Sequence, residues 1–350
     1  MNANKTSVLF MGASEFSAPA LKMLICEGYE LVGVVTQPDR PKGRGNKTAA
    51  PVVKDIAMDA GVRVFQPEKP SDIYDEIVEL SVDLCVTAAY GAILKKKFLR
   101  IPRFGTINVH ASLLPQYRGA SPIHRALLNG DAETGITTML TDAGVDTGPV
   151  LLSEKIAIPE GAYFQELHDM LAELGADVLK RTIPAYLSGV LAPVPQDGER
   201  ASYAPVIQKG DGELDFSLTS RQLVNMVKAF SVWPGAAATL NGRRVKIHRA
   251  EDGGPARILH DAGVVDCDPQ NARLDGPVPQ DARCGGPVPQ DALRGGPVPQ
   301  NAVQYGSVIG ISRDALSILC GGDSLFNVTR LQFENGRAMD ISECWHNLRF

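Results

Sequence analysis

No apolar run in this 350-residue sequence approaches the ~18 residues that a bilayer span needs, which excludes an integral helical membrane protein. The segment Met1–Thr6 leads straight into the apolar run Ser7–Met11. It shows neither a charged leader with a long apolar core nor an Arg- and Ser-rich transit pattern, so a soluble cytoplasmic protein is expected. The six cysteines, Cys26, Cys85, Cys267, Cys284, Cys320 and Cys344, form no C-x-x-C pair and have no His at zinc spacing. A disulfide framework and a structural metal are therefore not expected. The first strand-to-helix turn, Gly12-Ala13-Ser14-Glu15-Phe16, is not G-x-G-x-x-G, and Glu15 stands where a pyrophosphate would have to approach a helix N-terminus. There is no Walker A pattern either, which argues against a nucleotide-driven enzyme. With 35 basic and 40 acidic residues, net charge −5, no global positive field marks a nucleic-acid binder.

Hydrophobic residues make up 44% and charged residues 21%, an ordinary globular balance, and the length suits two domains. Basic residues are concentrated locally. Arg40, Lys42, Arg44 and Lys47 share one Gly- and Pro-containing loop with only Asp39 opposing them. Lys95, Lys96, Lys97, Arg100 and Arg103 form a second run, which reads as a solvated surface.

The first half alternates strand and helix signals: strands at 7–11, 31–36, 62–65, 83–88, 105–110, 136–142 and 150–158, helices at 17–27, 52–60, 73–80 and 164–183. Ser17 is placed to cap the first helix and Gly28 to end it. This alternation predicts an α/β domain with a mostly parallel sheet, whose ligands bind beyond the carboxyl ends of the strands. Suspicion therefore falls on the ends of the strands at 83–88 and 105–110. The Pro-, Gly- and polar-rich stretch Leu191–Gly198 reads as a linker. Beyond it come a helix at 221–230 and strands at 237–240, 244–249, 307–312, 316–320 and 326–333, with Asn241-Gly242 as a two-residue hairpin turn. These predict a smaller C-terminal β-barrel of the oligonucleotide-binding (OB-like) type. The expected layout is a catalytic domain at 1–190, a linker at 191–210 and the barrel at 211–350.

A ten-residue repeat built on Pro-Val-Pro-Gln interrupts the barrel at 266–304. Closely spaced prolines forbid helix or ladder, and few apolar side chains remain for a core, so a flexible loop insertion is expected.

The chemistry concentrates in Thr106–Pro122. Asn108 and His110 lie two apart in a strand, on one face at its carboxyl end. An amide donor beside an imidazole suits an oxygen that becomes negative during acyl transfer. Asp146, in the loop Thr141–Gly148 after the next strand, is positioned by sequence to hold the imidazole. Taken alone, these residues equally describe a satisfied core histidine and turn aspartates.

The string Asn108-x-His110-x-Ser112-Leu113-Leu114-Pro115, with Tyr117-Arg118-Gly119 and Asp142-x-Gly144-x-Asp146-Thr147-Gly148, resembles the formyltransferases that use 10-formyltetrahydrofolate. The loop Thr36–Gly45, the segment Ala89–Leu94 and Ala229-Phe230…Trp233-Pro234-Gly235 narrow the resemblance to the methionyl-tRNA formyltransferase family. The likeness runs from Ser7 to about Arg249 and resumes more weakly after the repeat. It implies a Rossmann-like catalytic domain and transfer of a formyl group to the α-amine of methionine on initiator tRNA, supplying translation initiation. It further implies that Asn108 and His110 polarise the formyl oxygen, and that Asp146 partners His110 and helps manage the amine proton. Tyr90, Gly91, Ile93 and Leu94 with Ser112, Leu113, Leu114 and Pro115 would line the folate pocket. Arg40, Lys42, Arg44 and Lys47 would meet the tRNA acceptor end, with no metal and with the protein acting as a monomer. Two departures stand out: Ser14-Glu15 replaces the family's usual Thr-Pro, and Val206 stands where the family typically has Lys. The runner-up is a folate-dependent formyltransferase acting on a small amine, a sugar nucleotide or glycinamide ribonucleotide. Neither acceptor needs a basic loop or a barrel.

Overall fold

The computed structural model describes residues 5–42, 47–256 and 304–348. Two compact units emerge: 1–212 with 228–234, and 213–227 with 235–350. The repeat at 266–303 and Arg44 lie outside the described residues. No helix among the described residues is long and apolar enough to cross a membrane.

The first unit runs β1 Ser7–Gly12, α1 Ala18–Cys26, β2 Glu30–Val35, β3 Arg40–Lys42, β4 Lys47–Ala49, α2 Val52–Asp59, β5 Val64–Phe65, α3 Tyr74–Glu79, β6 Leu84–Ala88, α4 Lys96–Leu99, β7 Thr106–His110, α5 Pro122–Asn129, β8 Glu133–Leu140, β9 Val150–Ala157 and α6 Phe164–Leu187. Its main sheet has the order β5-β2-β1-β6-β7-β8-β9. Pairing is parallel from β5 through to β7 and antiparallel at β7–β8 and β8–β9. The chain builds outward from β1 through β2 to β5, then returns to lay β6 on β1's other side. That reversal opens a crevice at the carboxyl ends of β1 and β6, where such sheets bind ligands. Val8, Leu9, Phe10 and Met11 of β1 are fully buried, as a central strand covered on both faces requires.

Helix α6 packs closely on this sheet. A Cβ at Gly175 would lie 3.0 Å from Val109 Cγ1, so a side chain there would push β7 away. The Thr138 and Thr182 hydroxyls, 2.9 Å apart, tie β8 to the helix.

Several expectations change in detail. Ser17 does not cap α1 with its side chain: its hydroxyl donates to the Ser14 carbonyl at 2.5 Å, closing a 3-10 turn at Glu15–Ser17. Gly28 takes φ +72° just past the helix end, as expected of a left-handed stop. Helix α5, eight residues long, follows the motif-rich loop and lies outside the helices expected from periodicity. Its local signals are nonetheless clear: Pro122 opens it and Gly130, at φ +68°, ends it. The basic loop contains a hairpin, with β3 and β4 paired antiparallel and Lys42 in register with Lys47. Short length and Pro41 hid it from the pattern.

The second unit contains α7 (Ser220–Ala229, whose last two residues fall in the first unit), β10 Ala236–Leu240, β11 Arg243–Pro255, β12 Val308–Ile311, β13 Leu316–Cys320, β14 Ser324–Phe333, β15 Ala338–Asp340 and α8 Ile341–Cys344. Strand order is β10-β11-β14-β13-β12, with β15 added to β14, and every pair is antiparallel. Asn241 and Gly242 both have positive φ, +45° and +76°, which is the turn geometry the dipeptide predicts between β10 and β11. Strand β11 is longer than expected because irregularities between Ile247 and Pro255 let it bend while keeping β14 as partner.

Candidate active site

The carboxyl ends of β1, β6 and β7 open into a cavity of about 740 Å³. Asn108, His110 and Asp146 all line it, with Thr87, the segment Ala89–Leu94 and the loop Thr141–Asp146.

Asn108 is oriented by its neighbour in the sheet. Thr87 and Asn108 are register partners on β6 and β7, and the Thr87 hydroxyl donates to Asn108 Oδ1 at 2.8 Å. With its oxygen engaged, the amide presents its N–H donors to the cavity. Pattern reading passed over Thr87, although the end of β6 had already come under suspicion.

His110 is 6% exposed and held on two sides. Nε2 lies 2.9 Å from the Tyr117 carbonyl, which can only accept, so this nitrogen carries a proton. Nδ1 faces Asp146 Oδ2 at 3.6 Å, longer than a hydrogen bond and open to a ligand atom. Asp146 is fixed in turn: Oδ2 accepts the Gly119 N–H at 2.8 Å, and its carbonyl accepts Gln196 Nε2 at 2.9 Å. Asp142 serves the loop itself, its Oδ1 accepting from Gly144 N at 2.9 Å and Thr147 Oγ1 at 2.6 Å.

Backbone strain gathers here. Ala89, Tyr117 and Asp146 have φ of +42°, +58° and +52°, a region non-glycine residues avoid at a cost of order 1–3 kcal/mol each. Gly119, at φ +115°, admits no side chain, since a Cβ would lie 2.7 Å from the Ala204 carbonyl oxygen.

The wall opposite is apolar and well rooted. Tyr90 and Leu94 belong to the hydrophobic cluster that includes Leu9, Met11 and Phe98. Burial, with a smaller contribution from nearby Cys85, pushes the Tyr90 phenol up to about 12, so it stays neutral. Between these anchors Gly91 turns at φ +80°, and Ile93 is left 80% exposed at the rim. Ser112, Leu113, Leu114 and Pro115 do not line the cavity. After His110 the chain turns behind the wall: the fully buried Ser112 hydroxyl donates to the Gln116 carbonyl at 2.6 Å, and Leu114 N–H donates to Thr137 Oγ1 at 3.1 Å. These bonds hold the segment that carries the Tyr117 carbonyl.

An aromatic corner completes the lining. Phe16 and Phe164 each stand 5.7 Å from the His168 ring, and His124 stacks on Phe164 at 4.1 Å. Burial drives His124 down to about 4, with Arg125 and His168 adding to it against a backbone hydrogen bond at Trp233. The buried hydroxyl of Thr141, a residue of the same cavity's lining, has no hydrogen-bond partner among the described residues.

Of the basic loop, Arg40 is exposed and pairs with Glu68 at 3.4 Å. Asp39, the one acid in the stretch, is engaged by Lys54 at 2.6 Å and by Gln66, which hold its carboxyl below the usual range. No group of three or more His, Cys, Asp or Glu residues able to hold a metal ion occurs among the described residues.

The chain matches the family described as Formyl transferase over residues 4–183, and its C-terminal domain over 206–273. The methionyl-tRNA formyltransferase of Ruminiclostridium cellulolyticum is 48% identical over 242 residues, 69% of this chain and 78% of that protein. That of Geobacter metallireducens is 44% identical over 278 residues, 77% of this chain and 89% of that one. Among solved structures, an N-formyltransferase from Helicobacter canadensis in complex with folinic acid and dTDP-3-aminofucose aligns with TM-score 0.58 at 18% identity, covering 75% of this chain and 93% of its own. HypX from Aquifex aeolicus aligns with TM-score 0.58 at 14% identity over 98% of this chain and 49% of its own, a likeness of fold. By these matches the chain belongs to the formyl transferase family, among the methionyl-tRNA formyltransferases.

Proposed function

We propose that this protein transfers the formyl group of 10-formyltetrahydrofolate to the free amino group of methionyl-initiator tRNA, as a monomer. The observation that carries this reading is the convergence of Asn108, His110 and Asp146 on one cavity, supplied by one chain.

The residues fit a folate-type donor. A cavity of about 740 Å³ is large enough for a flat heterocycle and its acyl group. The rooted apolar segment Tyr90–Leu94 offers a face for the ring. When bound, the donor supplies an already activated formyl group on a weakly basic nitrogen.

The protein's task is then positioning and charge. Asn108, its amide oriented by Thr87, presents a donor to the formyl oxygen as it becomes negative. His110, whose Nε2–H is engaged by the Tyr117 carbonyl, adds the Nδ1–H of its doubly protonated ring with the Asp146 carboxylate as counter-charge. Each such donor is worth ~2.7–4 kcal/mol of barrier when removed. Asp146 steadies the His110 ring from one side while the Tyr117 carbonyl holds the other. Its carboxylate accepts the proton leaving the attacking amine and passes it to the folate nitrogen as the bond from that nitrogen to the formyl carbon breaks. The attack needs a neutral, aligned amine and no covalent enzyme intermediate. Ser112 is unsuited as a nucleophile: it is fully buried and its hydroxyl is spent on the Gln116 carbonyl.

The tRNA would be met by Arg40, Lys42, Arg44 and Lys47. Lys54 already neutralises Asp39, the one acid of this stretch, which leaves the loop a net positive charge for phosphates. The direct test mixes the protein with 10-formyltetrahydrofolate and methionyl-initiator tRNA and looks for formylmethionine. Transfer to an amino sugar nucleotide or to glycinamide ribonucleotide instead, or release of formate alone, contradicts the reading.

A further inference from the structure

Arg118 is an unusual residue to bury. It is 6% exposed, and a guanidinium out of water is costly unless its donors are satisfied. Its Nε and Nη2 both donate to Gln196 Oε1, at 3.0 and 2.9 Å. The same amide donates from Nε2 to the Asp146 carbonyl at 2.9 Å and to the Gly148 carbonyl at 2.7 Å. Two donors and both acceptor sites of Gln196 are thus used, and swapping its oxygen and nitrogen would break all four bonds.

The stretch holding Gln196 is no loose tether. Val194 and Val150 exchange backbone hydrogen bonds at 2.8 Å, the Arg118 N–H donates to the Ser202 carbonyl at 2.9 Å, and the Arg118 carbonyl accepts from Ala204 at 2.7 Å. Residues 194–204 therefore fasten the segment after β7 to the loop after β8. The first segment contributes the Tyr117 carbonyl to His110 and the Gly119 N–H to Asp146; the second carries Asp146 itself.

We infer that Arg118 and Gln196 are positioning residues for the reaction, a buried two-residue clamp that sets Asp146 against His110. This inference rests on the functional reading above. Neither residue lines the cavity, so both act through the backbone of the Asp146 loop and the turn at Gly119. Asp146 sits at φ +52°, a conformation that an unfastened loop would relax away from.

Gln196→Glu tests the clamp. The carboxylate keeps a partner for Arg118 but replaces both N–H donors with acceptors facing the Asp146 and Gly148 carbonyls. We expect a folded protein with thermal stability near the parent and faster hydrogen exchange at the Gly119 amide, whose acceptor is Asp146. We further expect kcat to fall about a hundredfold, as small misplacements of a catalytic group can, with KM for the folate donor within about twofold. Arg118→Met, which buries no charge, should give the same pattern more weakly and serves if Gln196→Glu does not fold. Unchanged kcat in either folded variant, kcat loss without faster Gly119 exchange, or failure of both variants to fold would overturn the inference. The exchange measurement needs no substrate, so it fails separately from the functional reading, which falls if the parent protein makes no formylmethionyl-tRNA.

Discussion

The two units handle buried polarity in opposite ways. Apart from Ser220, which donates to Asp252 at 2.8 Å, every buried polar or charged side chain among the described residues lies in the first unit. There Thr87, His110, Arg118 and Thr137 bond within or just behind the cavity wall. The second unit buries an apolar set around Phe326, Val328, Leu316 and Ile318. Buried polar networks demand full satisfaction and fix one arrangement, whereas an apolar core tolerates adjustment. The candidate site lies in the unit where buried polar groups are concentrated.

The sharpest way to break this contrast is His110→Ala. It should lower the transfer rate by about a thousandfold or more, since it removes an oxyanion donor together with the ring that Asp146 steadies, while tRNA affinity stays near the parent value. A rate within tenfold of the parent in a single-turnover assay would contradict it. In the other unit, Phe326→Ala should cost about 3–5 kcal/mol, as truncation of a fully buried aromatic does. Hydrogen exchange should quicken in β13 and β14 and not in β6 or β7; acceleration across both units would show that the division is not energetic. Thr87→Val keeps the shape but frees the Asn108 amide to turn, and about tenfold in kcat is expected, with donor binding little changed.

His124 gives a pH signature. Its folded value of about 4 lies below the ordinary 6.5, so the unfolded chain binds the extra proton first. Its contribution to stability is present above about 6.5 and is lost as pH falls toward 4. The melting temperature should drop between pH 7 and 5, and His124→Gln should flatten that drop by a few degrees; an identical slope would remove His124 as the cause. The smallest effect is expected at Arg40, already paired with Glu68 on the surface. Arg40→Ala should lower the salt slope of tRNA binding by about one phosphate contact or less, read by titration at several salt concentrations.

Much of this was legible in the sequence, for identifiable reasons. The strand alternation gave the parallel sheet, and residues 108 and 110 shared a face because strand side chains repeat every two positions. Asn241-Gly242 announced its hairpin because few other residues accept positive φ twice in succession. Contacts between distant segments were not legible. That Gln196, in a stretch composed like a linker, reaches Asp146 depends on residues 194–204 bonding to both Val150 and Arg118, which no local pattern encodes. The Tyr117 carbonyl is a backbone group and leaves no residue-type signal. The family resemblance implies that Ser112–Pro115 line the pocket, but the turn after β7 carries them behind the wall of this cavity.

The central claim is that one oxygen is gripped by Asn108 and His110 together. A double-mutant cycle on the single-turnover rate, with Asn108→Ala, His110→Ala and both, tests it most directly. Shared grip predicts that the second substitution adds little once the first is made. Losses that multiply, as for two independent sites, would contradict it.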